Sequence, residues 1–203
     1  MRTIKARGRL TIRVGAIVLG AFCAALTGIS VLAPSGAAMA QSLPPELALL
    51  HDALGKYRDP IVAVRDGYFS TVGCVEYANG GMGVHFLNPG LIGPTPDPLK
   101  PQILVYEPEG DKLHLVAAEW FIPLATGVKE RPTLFGQPFD GPMEGHEPLI
   151  PAELHHYDLH VWVFKPNPEG MFNATNPTVK CAGKSGYALM ETPPKHVAHP
   201  PAK

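Results

Sequence analysis

Leu113-His114-Leu115-Val116-Ala117-Ala118-Glu119-Trp120-Phe121-Ile122 is the stretch that decides the fold. Successive side chains of an extended chain point to opposite faces. Leu113, Leu115, Ala117, Glu119 and Phe121 then share one face, and His114, Val116, Ala118, Trp120 and Ile122 share the other. Both faces are largely apolar, so the segment reads as a buried strand. Glu119 is the exception, because a carboxylate in a packed face is costly unless a cation or donor meets it. Upstream, Gln102–Tyr106 reads as a second strand, and Glu107-Pro108-Glu109-Gly110-Asp111 has the composition of a hairpin turn between the two.

Downstream, His155–Phe164 alternates in the same way. His156, Asp158, His160 and Trp162 fall on one face, and Tyr157, Leu159, Val161 and Val163 on the other. Four of the nine histidines lie between His146 and Trp162, with Glu147, Glu153 and Asp158 among them. Imidazole and carboxylate at that density can bind a metal or exchange protons near neutral pH.

The N-terminal half has a different period. Glu46–Tyr57 reads as an amphipathic helix with Leu47, Leu50, Ala53, Leu54 and Tyr57 on one side. Arg58-Asp59-Pro60 breaks it, with Asp59 as a cap and Pro60 at a first helical position. A second helix is expected over Ile61–Phe69, ending near Thr71-Val72-Gly73. Gly80–Gly83 reads as a flexible turn that delivers Val84–Leu87 in extended form. Pro123–Pro151 is rich in Pro and Gly without a period, and so long a loop in a compact domain is usually functional or mobile. The expectation is a single α+β domain over residues 41–181, with N-terminal helices packed on an antiparallel β-sheet. Residues 182–203 read as a disordered, Pro-containing tail.

Residues 1–40 read as an export signal. Arg2, Lys5, Arg7, Arg9 and Arg13 precede the apolar stretch Val14–Leu32, and Ala38-Met39-Ala40 is a small-x-small cleavage site before Gln41. An uncleaved membrane anchor is the alternative, opposed by Gly28, Pro34 and the cleavage site. Cleavage would leave 163 residues with 12 basic and 18 acidic side chains, a formal charge of −6. An acidic exported domain without a basic stripe is a poor partner for nucleic acid or an anionic membrane. Small molecules and metal ions remain as partners; the oligomeric state is left open. Cys74 and Cys181 would be the two remaining thiols, so a disulfide is the default in an oxidising compartment.

The candidate site gathers His85, Glu119, His146, Asp158 and His160. On a strand, residues two apart stand about 6.6 Å from each other and can share an ion, whereas residues four apart, about 13 Å, strain to do so. Asp158 with His160, or His156 with Asp158, is the natural pair. Glu119 on the neighbouring strand, His85 after the glycines and His146 at the loop end would complete it. His85, Glu119, His146 and His160 form the metal set, for zinc or copper, and His160, Asp158 and Glu119 carry the proton chemistry. Met82-x-x-His85 and Met143-x-x-His146 repeat one spacing, and thioether with imidazole leans toward copper. Each residue has a structural alternative: Glu119 can salt-bridge Arg65 or Arg131, and His85 can bond loop carbonyls. Walker A, GxGxxG, Gly-x-Ser-x-Gly and His-Glu-x-x-His motifs are absent.

Gly81-Met82-Gly83-Val84-His85-Phe86-Leu87-Asn88-Pro89, the Leu134–His146 run and Tyr157-Asp158-Leu159-His160-Val161-Trp162 resemble segments of a group of exported bacterial proteins with no assigned activity. The resemblance spans about Lys56 to Cys181 and implies one exported domain without implying a substrate. Two function classes follow from the residues. One is a small-molecule enzyme with a metal or His/carboxylate site; the other is a non-catalytic metal-binding, ligand-binding or structural protein.

Overall fold

The computed structural model describes residues 43–181, 188–190 and 194–199. The segment read as an export signal lies outside them. Pro45–Leu54 forms helix α1, Gly55–Arg58 continues it as a 3-10 turn, and Pro60–Arg65 forms α2. Asp59 caps α2, its carboxylate accepting from the Ile61 amide at 2.9 Å, and Pro60 sits where no amide donor is needed.

The second helix is shorter than Ile61–Phe69. It ends at Arg65, Gly67 turns the chain at a φ of 95°, and Phe69–Tyr77 becomes strand β1. Thr71-Val72-Gly73, expected at a helix end, lies inside that strand. The helical period rests on residues before Gly67, and β-branched Thr71 and Val75 suit a pleated surface.

The remaining strands are β2 (Gly80–Leu87), β3 (Ile103–Glu109), β4 (Lys112–Pro123), β5 (Thr133–Leu134), β6 (Gln137–Pro138), β7 (Asp140–Met143), β8 (His156–Val161) and β9 (Ala188–Met190). Seven form one sheet in the order β7-β8-β4-β3-β2-β1-β9, and β5 pairs with β6 separately. All pairings are antiparallel except β1 with β9. The expected β3–β4 hairpin forms, closing at Gly110 and Asp111. The Pro123–Pro151 segment holds β5, β6 and β7, so it is partly ordered by pairing. Among the described residues the fold is α+β in outline: a mostly antiparallel sheet with few and short helices.

The two faces of the sheet differ. Leu47, Leu50, Leu54, Tyr57 and Ala63 of the helical segment pack on Phe86, Leu104, Tyr106, Trp120, Ile122, Tyr157, Leu159 and Val161. On the opposite face Ile103, Val105, Ala117, Phe121 and Trp162 form a smaller cluster. Strict alternation would put Leu113 and Leu115 beside Glu119. A β-bulge prevents this: Tyr106 pairs with Leu115 and Val105 with Ala117, leaving Val116 as the extra residue. Leu115 thereby joins the helix-side core, and Val116 joins the Glu119 side.

Cys74 and Cys181 form a disulfide across 107 residues, with Cα atoms 5.5 Å apart. Chain-entropy reasoning gives such a tie about 4–5 kcal/mol at most. Beyond Cys181, β9 and residues 194–199 fall in the stretch expected to be a disordered tail, yet they are held by backbone pairing. β9 lies along β1, Val197 N–H donates to Pro142 at 2.8 Å and Glu144 N–H to Lys195 at 2.9 Å. A sheet edge offers unpaired amides and carbonyls that a short extended segment can satisfy through its backbone alone. The rest of 182–203 lies outside the described residues.

Candidate metal centre

Strand register places the polar side chains. Glu119 lies opposite His160 across β4 and β8, Phe121 opposite Asp158, and Pro123 opposite His156. Glu119 also faces Ile103 of β3, which in turn faces Leu87 of β2, two residues from His85. His85, Glu119, His156, Asp158 and His160 therefore stand on one face, the one the helices do not cover.

They divide into two clusters. In the first, Glu119 Oε2 lies 3.3 Å from His85 Nε2 and 3.2 Å from His160 Nε2. The two imidazole rings are perpendicular, with centroids 6.2 Å apart. In the second, Asp158 Oδ2 lies 3.8 Å from His156 Nε2 and 4.0 Å from His146 Nε2. Within each cluster the three ligand atoms lie within 4.8 Å of one another. All six residues are buried, from 1% exposure at His156 to 9% at His85 and His146.

Glu119 pairs with histidines, not with Arg65 or Arg131; Arg131 instead bonds the Phe139 carbonyl and faces Asp140. Of the two pairs expected on this strand, His156 with Asp158 forms, joined by His146 from the loop, while His160 joins Glu119 and His85 of other strands. His156, left out of the expected metal set, belongs to the second cluster. Its signal was present in the alternation, since His156, Asp158 and His160 share a face at two-residue steps.

The two carboxylates sit in opposite electrostatic settings. Burial by itself would raise the Glu119 pKa, but the His160 charge and hydrogen bonding from His160 and His85 outweigh it and hold the carboxyl well below its usual range. Burial pushes Asp158 up to about 6, with the Glu119 and Asp140 charges adding and His160 and His146 opposing. Burial also lowers His156 to about 4, although the Leu154 carbonyl works the other way. His156 is therefore neutral at pH 7. Its Nδ1–H donates to that carbonyl at 3.1 Å, which turns the Nε2 lone pair toward Asp158.

A cavity of about 140 Å³ opens over both clusters. His85 and Glu119 of the first and His146 and His156 of the second line it, and Met82, Leu87, Ile103, Phe121, Leu149 and Ile150 supply apolar walls. Asp158 and His160 instead line a separate groove with Arg131, Asp140 and Asn173. Met82 reaches the cavity through a second bulge. Val75 pairs with Gly83 and Glu76 with Gly81, so Met82 is the extra residue. The bulge requires glycine at position 83, where φ is 116° and a Cβ would stand 2.6 Å from the Tyr106 carbonyl oxygen. Met143, the other half of the repeated Met-x-x-His spacing, lies opposite His156 in β7.

His146 comes from a loop closed on itself. Gly145 N–H donates to Ala152, and the Leu149 and Ile150 amides both donate to the His146 carbonyl. A Cβ at Gly145 would stand 1.9 Å from the Pro151 carbonyl oxygen, so only glycine allows the loop to close. One turn thus delivers the His146 imidazole and two apolar side chains to the same cavity. Comparison with protein-family models, curated proteins and solved structures finds no match to this chain. The reading of the site rests on its own geometry.

Proposed function

We propose that this chain is an exported protein that holds a divalent transition-metal ion, zinc or copper, through His85, Glu119 and His160, and uses it on a small molecule in the adjoining cavity. The observation that carries this reading is the placing of Glu119. Its Oε2 stands 3.2–3.3 Å from two imidazole Nε2 atoms at 5% exposure. Ligands about 2.0 Å from a tetrahedral zinc ion stand roughly 3.3 Å from each other, so both distances from the Glu119 oxygen match an edge of such a shell. Three protein ligands leave one position open for water or substrate, and an ion there would polarise a substrate oxygen or acidify a bound water. The apolar cavity walls suit a small molecule. His146 and His156 line the same cavity beside this cluster.

The disulfide supports export, because such bonds persist in oxidising compartments. No helix among the described residues is long and apolar enough to cross a membrane. Burial of every ligand favours a second reading, a metal-holding protein without catalysis. Turnover separates the two readings, and metal content tests what they share. Untagged protein taken from the compartment to which it is exported should carry a stoichiometric transition ion. The Glu119→Gln variant, folded and disulfide-bonded, should lose the ion bound at that cluster. Absence of any ion from the native protein would refute both readings.

A further inference from the structure

The ligand set just described uses only half of the ionisable groups beneath the cavity. We propose that His146, His156 and Asp158 hold a second metal ion, and that the two ions together bind a small apolar-tailed molecule through an anionic oxygen-bearing head such as a carboxylate. The second site stands on its own residues; the shared substrate rests on the metal reading of the first.

Three observations point to the second ion. Both imidazoles are oriented from behind: the Leu154 carbonyl takes His156 Nδ1–H at 3.1 Å, and Tyr77 Oη lies 3.3 Å from His146 Nδ1. That arrangement presents Nε2 of each ring to the centre, as outer-shell partners do for metal-bound histidines. Asp158 Oδ2 stands 3.8 and 4.0 Å from those Nε2 atoms, too far for hydrogen bonds. A closure of roughly half an ångström would bring both distances close to the edge of a tetrahedral zinc shell. His146 is the ligand free of the sheet, since it rides on the loop between Gly145 and Ala152.

The substrate class follows from charge and shape. Each cluster has two imidazoles and one carboxylate, so two divalent ions would leave two positive charges beneath apolar walls. Uncompensated charge in such a cavity is expensive, and an anionic oxygen head would offset part of it. His85 and Glu119 of the first cluster and His146 and His156 of the second line the same cavity, so one head placed there meets both ions. Met82, Leu87, Ile103, Phe121, Leu149 and Ile150 then enclose the tail, and about 140 Å³ limits it to a short chain.

Zinc binding to the metal-free full chain, followed by equilibrium dialysis, tests the idea, with butyrate as probe of the loaded protein. Wild type should bind two zinc equivalents, while His146→Ala, Asp158→Asn and Glu119→Gln should each keep one. Butyrate should bind zinc-loaded wild type at least tenfold more tightly than loaded His146→Ala. His146→Ala changes a loop and not the sheet, so it decides the case if Asp158→Asn fails to fold. One equivalent in wild type, lost in Glu119→Gln and kept in His146→Ala, would overturn the second site and leave the first. One equivalent with the reverse pattern would overturn the first site and, with it, the shared substrate. No zinc bound would overturn both. Two equivalents with equal butyrate binding in wild type and His146→Ala would overturn the substrate class.

Discussion

The two faces of this sheet are built from the same strands and yet solve different problems. β4 sends Ala118, Trp120 and Ile122 to the helix side and Ala117, Glu119 and Phe121 to the other. β8 sends Tyr157, Leu159 and Val161 one way and His156, Asp158 and His160 the other. The helix face buries apolar area, whose removal from water is favourable in any register that closes the core. The opposite face buries two carboxylates and four imidazoles, and their charge states depend on one another. Stability should therefore live on the first face and ligand-dependent behaviour on the second.

The largest expected effect strikes the first face. Trp120 is fully buried, its indole N–H donates to the Asp97 carbonyl at 2.7 Å, and its ring meets Phe135. Trp120→Ala should lose about 3–5 kcal/mol in denaturant unfolding. A loss below 1 kcal/mol would mean that this face does not carry the stability.

The second face should respond to metal in place of packing. Zinc at 100 times its dissociation constant should raise stability by about 2.7 kcal/mol per independent site, by mass action. Glu119→Gln should lose the part of that gain due to its own cluster, while staying within roughly 1–2 kcal/mol of the metal-free wild type. Equal zinc stabilisation of the two proteins would move the ion away from Glu119.

A pH experiment sharpens the contrast within the second face. The folded-state pKa of Asp158 is raised to about 6, so the stability tied to its protonated form is lost as pH rises through that value. The folded-state pKa of His156 is lowered to about 4, so stability is lost as pH falls from about 6.5 toward that value, because the unfolded chain takes up the proton first. Between pH 4 and 6 the two slopes oppose each other in the metal-free protein. Asp158→Asn should unmask the histidine slope, its stability relative to wild type rising by on the order of 2 kcal/mol across that window. A pH-independent difference between variant and wild type would contradict these charge states. In zinc-loaded protein, occupancy of the Asp158 cluster should fall as pH drops through about 6, because protons then compete for the carboxylate.

Met82→Leu should have the smallest effect on stability, less than about 1.5 kcal/mol, since the swap nearly conserves volume. Copper(I) affinity should fall several-fold and zinc affinity stay level if the thioether is a ligand, because soft sulfur selects copper. Equal affinities for copper(I) in both proteins would make Met82 a cavity wall only.

The same contrast explains what the sequence could disclose. Alternation in Leu113–Ile122 and His155–Phe164 marked two neighbouring strands and singled out Glu119 as a carboxylate in apolar surroundings. The even thiol count outside the segment read as an export signal anticipates the Cys74–Cys181 bond. Both are local signals. The bulges at Val116 and Met82 are not, because an extra residue is visible only against the register of a partner strand. The helix expected over Ile61–Phe69 overruns into β1, although Gly67, with its φ of 95°, is a local helix-stop signal. The division into two clusters also escaped. Asp158 and His160 are neighbours on one face, and only the cross-strand partner of each, with the loop that brings His146, decides which centre each one serves.

The central claim is that the face away from the helices holds metal between His85, Glu119 and His160. Anomalous scattering at the zinc absorption edge, from crystals of zinc-loaded protein, tests it most directly. The account predicts a peak within bonding distance, about 2.0–2.2 Å, of His85 Nε2, His160 Nε2 and a Glu119 carboxylate oxygen. Peaks confined to surface residues, with the Glu119 carboxylate still bridging two imidazoles, would contradict it.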